Sequence, residues 1–428
     1  MKKVLIITYW YPPYPFPSLR IIGLGKYLPE FGWQPIVLTS SLGQLNPQFR
    51  VIETPYRDVL GFWKRLLGFK PDEDIRRQVN NRFGVAPSSR IMNFFLTRLS
   101  EVISYPDLYR GWKPFAVRAG SEILEKEGID AILSSSMPII SHIIARELTT
   151  RYQIPWLADF RDLWTQNHNY SYGPLRKWLD RRLELRTLSP ADALVGISQP
   201  AAEKLRELHP EKPISAITNG FDPAEINSPP ATLAAKFTIT YTGSIYPQGH
   251  DPAKFFAALR DLVSAGTIKP DDIAVRFYGP QAEWVEREIT SYGLSAIVKY
   301  NGVVARETAL ARQRESQILL LLKWEDPQEQ GAYTGKVFEY LAARRPILAT
   351  GGSSDVVDDL LNDTGAGTCA PTVDDIKNVL TKLYQEYKNK GAVAYQGVES
   401  KVNQYSHRAM AGRFAEILNH LVAKEGNL

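Results

Sequence analysis

Short apolar runs alternate along the chain with longer stretches in which apolar positions recur every three or four residues. The first pattern suits strands buried on both faces and the second suits helices that cover them. Together they predict strand-helix units stacked into parallel sheets, an α/β protein. In the first half the runs predict strands at Val4–Thr8, Gln34–Leu38, Ala131–Ser134, Trp156–Asp159, Ala193–Ile197 and Ile214–Ile217. In the second half they predict strands at Thr238–Thr242, Ala274–Tyr278, Val298–Asn301, Ile318–Leu322 and Ile347–Ala349. Between the two sets, Asn219-Gly220-Phe221-Asp222-Pro223 and Asn227-Ser228-Pro229-Pro230 form a turn-rich passage that suits a linker better than a packed element. The expected domains are therefore residues 1–228 and 229–428, with a last helical pattern, about 408–423, free to cross back to the first.

Residues from about 42 to 113 break the alternation and mix basic with aromatic residues, as in Phe62-Trp63-Lys64-Arg65 and Ile91-Met92-Asn93-Phe94-Phe95. They read as an insertion. Its apolar residues either cover the first domain's core or touch a membrane as an amphipathic patch.

Composition changes this picture little. At 428 residues the chain exceeds one comfortable core, and 44% hydrophobic with 23% charged residues describes an ordinary globular protein. The single cysteine, Cys369, can form no internal bridge, so a reducing compartment is expected. The apolar run after Met1-Lys2-Lys3 is too short for a secretory signal, and no later stretch is long enough to span a bilayer. A cytoplasmic protein, free or on the inner face of the membrane, is the expectation. The formal net charge of +5 suits phosphate-bearing substrates or an anionic surface, and no nucleic-acid partner is expected.

An open parallel sheet offers nucleotide sites at the carboxyl ends of its strands. The loop after the first strand, Tyr11-Pro12-Pro13-Tyr14-Pro15-Phe16-Pro17-Ser18, has no glycine, which argues against a dinucleotide fingerprint, and no P-loop string occurs. In the second half Gly335-Lys336 opens a predicted helix, aiming unpaired N–H groups and a cation at whatever anion binds there. Glu339 stands one turn further on, where a carboxylate can accept from both hydroxyls of a ribose. An ordinary i,i+3 surface pair is the alternative. Gly243 and Ser244 follow an apolar strand and would let the backbone approach phosphates closely, or simply form a turn. No His, Asp or Glu cluster has metal-ligand spacing, so no metal or other cofactor is expected.

Several strings, in order, resemble the family-4 retaining glycosyltransferases. Tyr11-Pro12-Pro13 is similar to their opening loop, and Asp159-Phe160-Arg161-Asp162-Leu163-Trp164 to the "DFRDxW" string of a bacterial subgroup. Ala191-Asp192-Ala193-Leu194-Val195-Gly196-Ile197-Ser198 with Asn219-Gly220-Phe221-Asp222 resembles the pair "ADxxVxxS" and "NGxD". Tyr241-Thr242-Gly243-Ser244 opens the second domain, and Lys336 to Ile347 resembles the donor-site helix "KxxEYxAxxxPI". The resemblance implies a GT-B fold, with two Rossmann-like domains facing each other across a cleft. It implies a UDP-, GDP- or TDP-sugar donor on the C-terminal side, with Asn301 and Gly302 either at the nucleobase or in a simple loop, and a glycan or lipid-linked acceptor in surface polysaccharide synthesis.

The chain also departs from the pattern. Gly331 stands where a first glutamate, eight positions before Glu339, is usual, with Glu329 nearby as a substitute. Two customary phosphate-binding cations are replaced by Ser244 and Gln248, leaving Lys336, Lys323 and, more weakly, His250 as replacements. Where many members carry a histidine, this chain offers Arg161 between Asp159 and Asp162: Arg161 to neutralise the leaving phosphate and the aspartates to hold acceptor hydroxyls. A buried structural Arg–Asp cluster is the alternative. His142 and His168 read as packing or surface residues. The alternatives to transfer are a GT-B sugar-nucleotide 2-epimerase and a silent nucleotide-sugar-binding protein.

Overall fold

The computed structural model describes residues 1–11, 19–40, 49–59, 61, 65, 101–225, 231–247, 249–325, 331, 333–352 and 355–425. These form two compact units, Met1–Ile217 with Ala411–Leu428, and Thr218–Met410. The last helix therefore starts in one unit and ends in the other.

The first unit is a seven-stranded parallel sheet in the order β3-β2-β1-β4-β5-β6-β7. Its strands are β1 (Lys2–Ile7), β2 (Trp33–Ser40), β3 (Arg50–Thr54), β4 (Ala131–Ser136), β5 (Trp156–Phe160), β6 (Ala193–Gly196) and β7 (Ile214–Ala216). Helices α1 (Leu19–Tyr27), α2 (Lys113–Lys126), α3 (Ile140–Tyr152), α4 (Pro174–Leu188) and α5 (Gln199–Leu208) are the longer helices of this unit. All six predicted strands are present. β3 was not foreseen: it lies inside the stretch read as an insertion and pairs with β2 from Ile36↔Arg50 to Ser40↔Thr54. Phe62–Lys64 and Ile91–Phe95, on which the membrane reading rested, lie outside the described residues.

β4 is buried throughout yet ends in three serines, Ser134, Ser135 and Ser136. Buried hydroxyls need partners. The Trp156 indole donates to Ser134 Oγ at 2.7 Å, and the His142 imidazole meets the same oxygen at 2.7 Å. Burial holds His142 down to about 3, so it is a neutral core residue, its ring tilted against that of Phe160 with centres 4.5 Å apart. From Ala411 on, the last helix, α12 (His407–Glu425), belongs to this unit: the Arg20 guanidinium lies over the Phe414 ring, and the Asn419 amide oxygen accepts from Lys2 and Trp33.

The second unit is a six-stranded parallel sheet in the order β10-β9-β8-β11-β12-β13. The strands are β8 (Phe237–Thr242), β9 (Ile273–Tyr278), β10 (Val298–Tyr300), β11 (Ile318–Leu322), β12 (Ile347–Thr350) and β13 (Gly367–Ala370). Its longer helices are α6 (Ala253–Ser264), α7 (Glu283–Ser291), α8 (Arg306–Arg314), α9 (Gly335–Ala343), α10 (Val356–Thr364) and α11 (Val373–Lys390). β11 shows why an unbroken apolar run is needed here. Ile318, Leu320 and Leu322 enter the core that contains Phe255, Phe256 and Phe277, while Leu319 and Leu321 enter the opposite layer with Val337, Phe338 and Leu341. Alternate side chains of one strand thus feed both faces. β13 was not predicted.

Candidate active site

In each sheet the chain runs outward in opposite directions from one pair of strands: β1 and β4 in the first, β8 and β11 in the second. Beyond the carboxyl ends of such a pair an open α/β sheet leaves a crevice for ligands. In the second unit, loops after β8, β9 and β10 meet there through glycines. Gly243 N donates to the Tyr278 carbonyl at 2.7 Å, and Gly279 N to the Gly302 carbonyl at 2.9 Å. A Cβ on Gly279 would stand 2.2 Å from the Gly243 carbonyl oxygen, so the loops can approach only as glycines. At Gly243, φ is 112° and an added Cβ would strike Lys336 Cε at 2.3 Å.

That clash locates Lys336. Its ammonium donates to the Ser244 carbonyl at 3.3 Å and lies 5.0 Å from the centre of the Tyr241 ring. Burial pulls its pKa down to about 8, against the pull of Glu339. Gly335 opens α9 with open space where its side chain would be, and Thr334 before it makes no side-chain cap. The first N–H groups of α9 are thus presented beside a cation. α9 is anchored to β8 by the Tyr340 hydroxyl, which accepts from Thr242 N at 3.0 Å.

One turn along α9, Glu339 accepts from Gln313 Nε2 at 3.4 Å and lies 3.5 Å from Arg306 Nη2. Gln313 is buried and also donates to Thr242 Oγ1 at 2.9 Å, and Arg306 pairs with Glu225 at 2.7 Å. These supporting residues, Arg306, Gln313 and Glu225, carry no string that sequence reading could seize on. Gly302 sits in the left-handed region at φ 72° and Asn301 turns its amide back onto the Lys299 carbonyl at 3.3 Å.

The other proposed cations differ. Lys323 is buried between two carboxylates, 2.6 Å from Asp358 and 3.2 Å from Asp355, the residue that caps α10. His250 is buried against Trp324, with ring centres 4.6 Å apart, and burial together with Lys336 holds it down to about 4. It is therefore neutral at pH 7 and supplies no charge. Gln248 and Glu329 lie outside the described residues.

The Asp159–Trp164 string of the first unit divides in the fold. Asp159 is fully buried: Arg20 grips it through Nε at 3.1 and 3.0 Å and through Nη2 at 2.8 Å, and Ser135 Oγ donates at 2.8 Å. Arg20 also donates to the Ile217 carbonyl at 2.9 Å. Arg161 turns back onto the ends of β4, donating to the carbonyls of Ser136 and Met137, while Asp162 is exposed. Among the described residues no group of three or more His, Cys, Asp or Glu side chains is placed to hold a metal ion.

The sequence profile of Glycosyltransferase Family 4 matches residues 85–225, a third of the chain. No curated protein sequence matches the chain. Solved structures do so along its whole length. HepE of Anabaena, in complex with UDP and glucose, is 12% identical with a TM-score of 0.60, covering 98% of this chain and 100% of that one. A glycosyltransferase from Rickettsia africae is 15% identical with a TM-score of 0.62, covering 98% of each chain. The UDP-forming α,α-trehalose-phosphate synthase of Burkholderia xenovorans, in complex with glucose-6-phosphate, is 11% identical with a TM-score of 0.62, covering 98% and 100%. With two parallel Rossmann-like units, the chain has the α/β fold of the GT-B type.

Proposed function

We propose that this protein is a sugar-nucleotide-dependent glycosyltransferase whose donor binds at the carboxyl ends of β8–β11. The observation that carries the reading is the pairing of Lys336, at the tip of α9 against the Gly243 loop, with Glu339 one turn deeper. The tip and Lys336 would receive the diphosphate, and Glu339 the ribose. The family match over residues 85–225, and HepE with UDP and glucose bound, support this assignment.

Transfer would retain configuration. The acceptor oxygen bonds to the anomeric carbon on the face from which the diphosphate leaves, the bond from that carbon to the phosphate oxygen breaks, and the acceptor proton passes to the departing phosphate. The protein then supplies positioning and charge in place of an acid–base pair. A glycan or lipid-linked acceptor fits helix α4, which is inside out. Arg176, Asp180, Glu184 and Thr187 are buried, whereas Leu175 (69% exposed) and Trp178 (51%) face outward beside Lys177, Arg181 and Arg182. Apolar and aromatic side chains flanked by cations suit an anionic membrane surface.

The test is incubation with a panel of UDP-, GDP- and TDP-sugars, without and with vesicles of anionic lipid. One donor is expected to be hydrolysed slowly, and the protein to sediment with the vesicles. Interconversion of the sugars would replace this reading with an epimerase, and binding without turnover with a silent module.

Lys336 gives the donor site a pH dependence. Below about 8 its amine is charged and attracts a diphosphate; above that value it is neutral in the free protein and the attraction is lost. UDP affinity measured by calorimetry is expected to fall as pH rises through this range in the wild type, and to stay flat with Lys336→Arg. A flat wild-type profile would remove Lys336 from the diphosphate site.

A further inference from the structure

The second unit opens with a turn-rich passage, Thr218 to Glu225, that is anchored against α9. Phe221 is buried and enters the same apolar layer as Val337, Phe338 and Leu341 of that helix. Its backbone is tied as well: Phe221 N donates to the Tyr405 carbonyl at 3.1 Å, and His407 N donates to the Phe221 carbonyl at 2.7 Å. Gly220 permits this approach, since a Cβ there would stand 2.5 Å from the Tyr405 carbonyl oxygen. From that anchor the chain turns at Asp222, which accepts from Ala224 N through Oδ1 at 2.9 Å and from Glu225 N through its carbonyl at 2.9 Å. Glu225 thereby has a set place relative to α9, the helix that carries Glu339.

That place matters for Arg306, the first residue of α8, which stands between the two carboxylates. Arg306 Nη1 donates to Glu225 Oε1 at 2.7 Å, the length of a charge-assisted hydrogen bond, whereas its Nη2 is 3.5 Å from Glu339 Oε1, well beyond that length. Gln313 Nε2 reaches the other oxygen, Glu339 Oε2, at 3.4 Å. Both oxygens of Glu339 are thus loosely engaged, and an ionised carboxylate with about four lone-pair sites can still take stronger donors. An arginine with no second acid would not leave them so. A guanidinium this near a carboxylate favours the two-pronged pair, in which two parallel N–H groups close on both oxygens. The hold of Glu225 on Nη1 opposes that closure.

We infer that Glu225 is a positioning residue of the donor site: it holds Arg306 off Glu339 and so keeps that carboxylate open to the ribose hydroxyls. The inference rests on the reading of Glu339 as the group that receives the ribose. It gives the Asn219-Gly220-Phe221-Asp222 string a task, that of seating the turn from which Glu225 reaches Arg306. Glu225 acts through Arg306 and need not touch the nucleotide.

The test is calorimetry on the full chain with UDP, GDP and their 2′-deoxy counterparts, following whichever ribonucleotide binds more tightly. Without Glu225, Arg306 closes on Glu339 and the ribose has to displace it. Glu225→Ala is therefore expected to bind the nucleotide about tenfold more weakly, roughly one hydrogen bond to a charged group, and to lose most of the wild-type preference over the 2′-deoxy form. Removing the intruding cation as well, in Glu225→Ala with Arg306→Gln, is expected to restore most of the affinity and of that preference. A merely structural role for Glu225 predicts otherwise, because damage from losing one partner of the pair is not repaired by losing the second. The inference is overturned if Glu225→Ala binds as the wild type does, or if the double variant binds no better than Glu225→Ala. In both cases a wild-type preference for the ribonucleotide leaves the reading of Glu339 standing. If the wild type binds neither nucleotide, or binds the ribose and deoxyribose forms alike, that reading falls and the inference falls with it.

Discussion

Asp159→Ala is expected to destabilise the first unit by about 3–5 kcal/mol, the usual consequence of removing one member of a buried ion pair. The size follows from what is left behind. Arg20, 2% exposed, would keep its buried charge without the carboxylate that three of its hydrogen bonds reach, and Ser135 Oγ would lose its acceptor. Replacing both ends with apolar residues, Arg20→Met with Asp159→Leu, is expected to recover most of the loss, because no buried charge is then stranded. Urea denaturation measures both, and UDP affinity should be the same in all three proteins. The reading taken from sequence, that Asp159 holds acceptor hydroxyls, predicts the opposite pattern: an unchanged unfolding midpoint and lost transfer.

That contrast shows where reading the sequence stops. The Asp-Phe-Arg-Asp string is visible as a string, yet nothing in it announces that the partner of Asp159 is Arg20, on a helix 139 positions earlier. The strands of both sheets were legible because burial on two faces demands unbroken apolar runs, as in Ile318–Leu322. β3 and β13 were missed because sheet edges relax that demand. Arg50-Val51-Ile52-Glu53-Thr54 carries two charges, and Gly367-Thr368-Cys369-Ala370 has little strand propensity. Helix α4 inverts the rule that apolar stripes face inward, so its buried Arg176 and Asp180 could not be told from a solvated face by periodicity. Around Glu339 the local spacing was informative, since Lys336 and Glu339 share one helix. Arg306 and Gln313, which hold that carboxylate from α8, became visible only with the fold.

Their position shapes the second large effect. Glu339→Ala is expected to weaken UDP binding by about 3 kcal/mol, roughly a hundredfold, if two hydrogen bonds to a charged acceptor are lost at about 1.5 kcal/mol each. The carboxylate is held before any ligand arrives: Gln313 is fixed on Thr242, Arg306 is shared with Glu225, and α9 itself is tied to β8 through Tyr340. Little ordering then remains to be done on binding, so the hydrogen bonds should appear in the affinity nearly in full. Arg306 also pairs with Glu225, at 2.7 Å, a partner the substitution leaves in place, which limits any collateral loss of stability. The decisive comparison is with 2′-deoxy-UDP. Wild-type protein should bind it more weakly than UDP, whereas Glu339→Ala should bind the two alike, because the group that reads the hydroxyl is gone. If calorimetry instead finds that the variant still prefers UDP by the wild-type margin, the ribose is read elsewhere, and the Lys336–Glu339 spacing is only that of a surface pair.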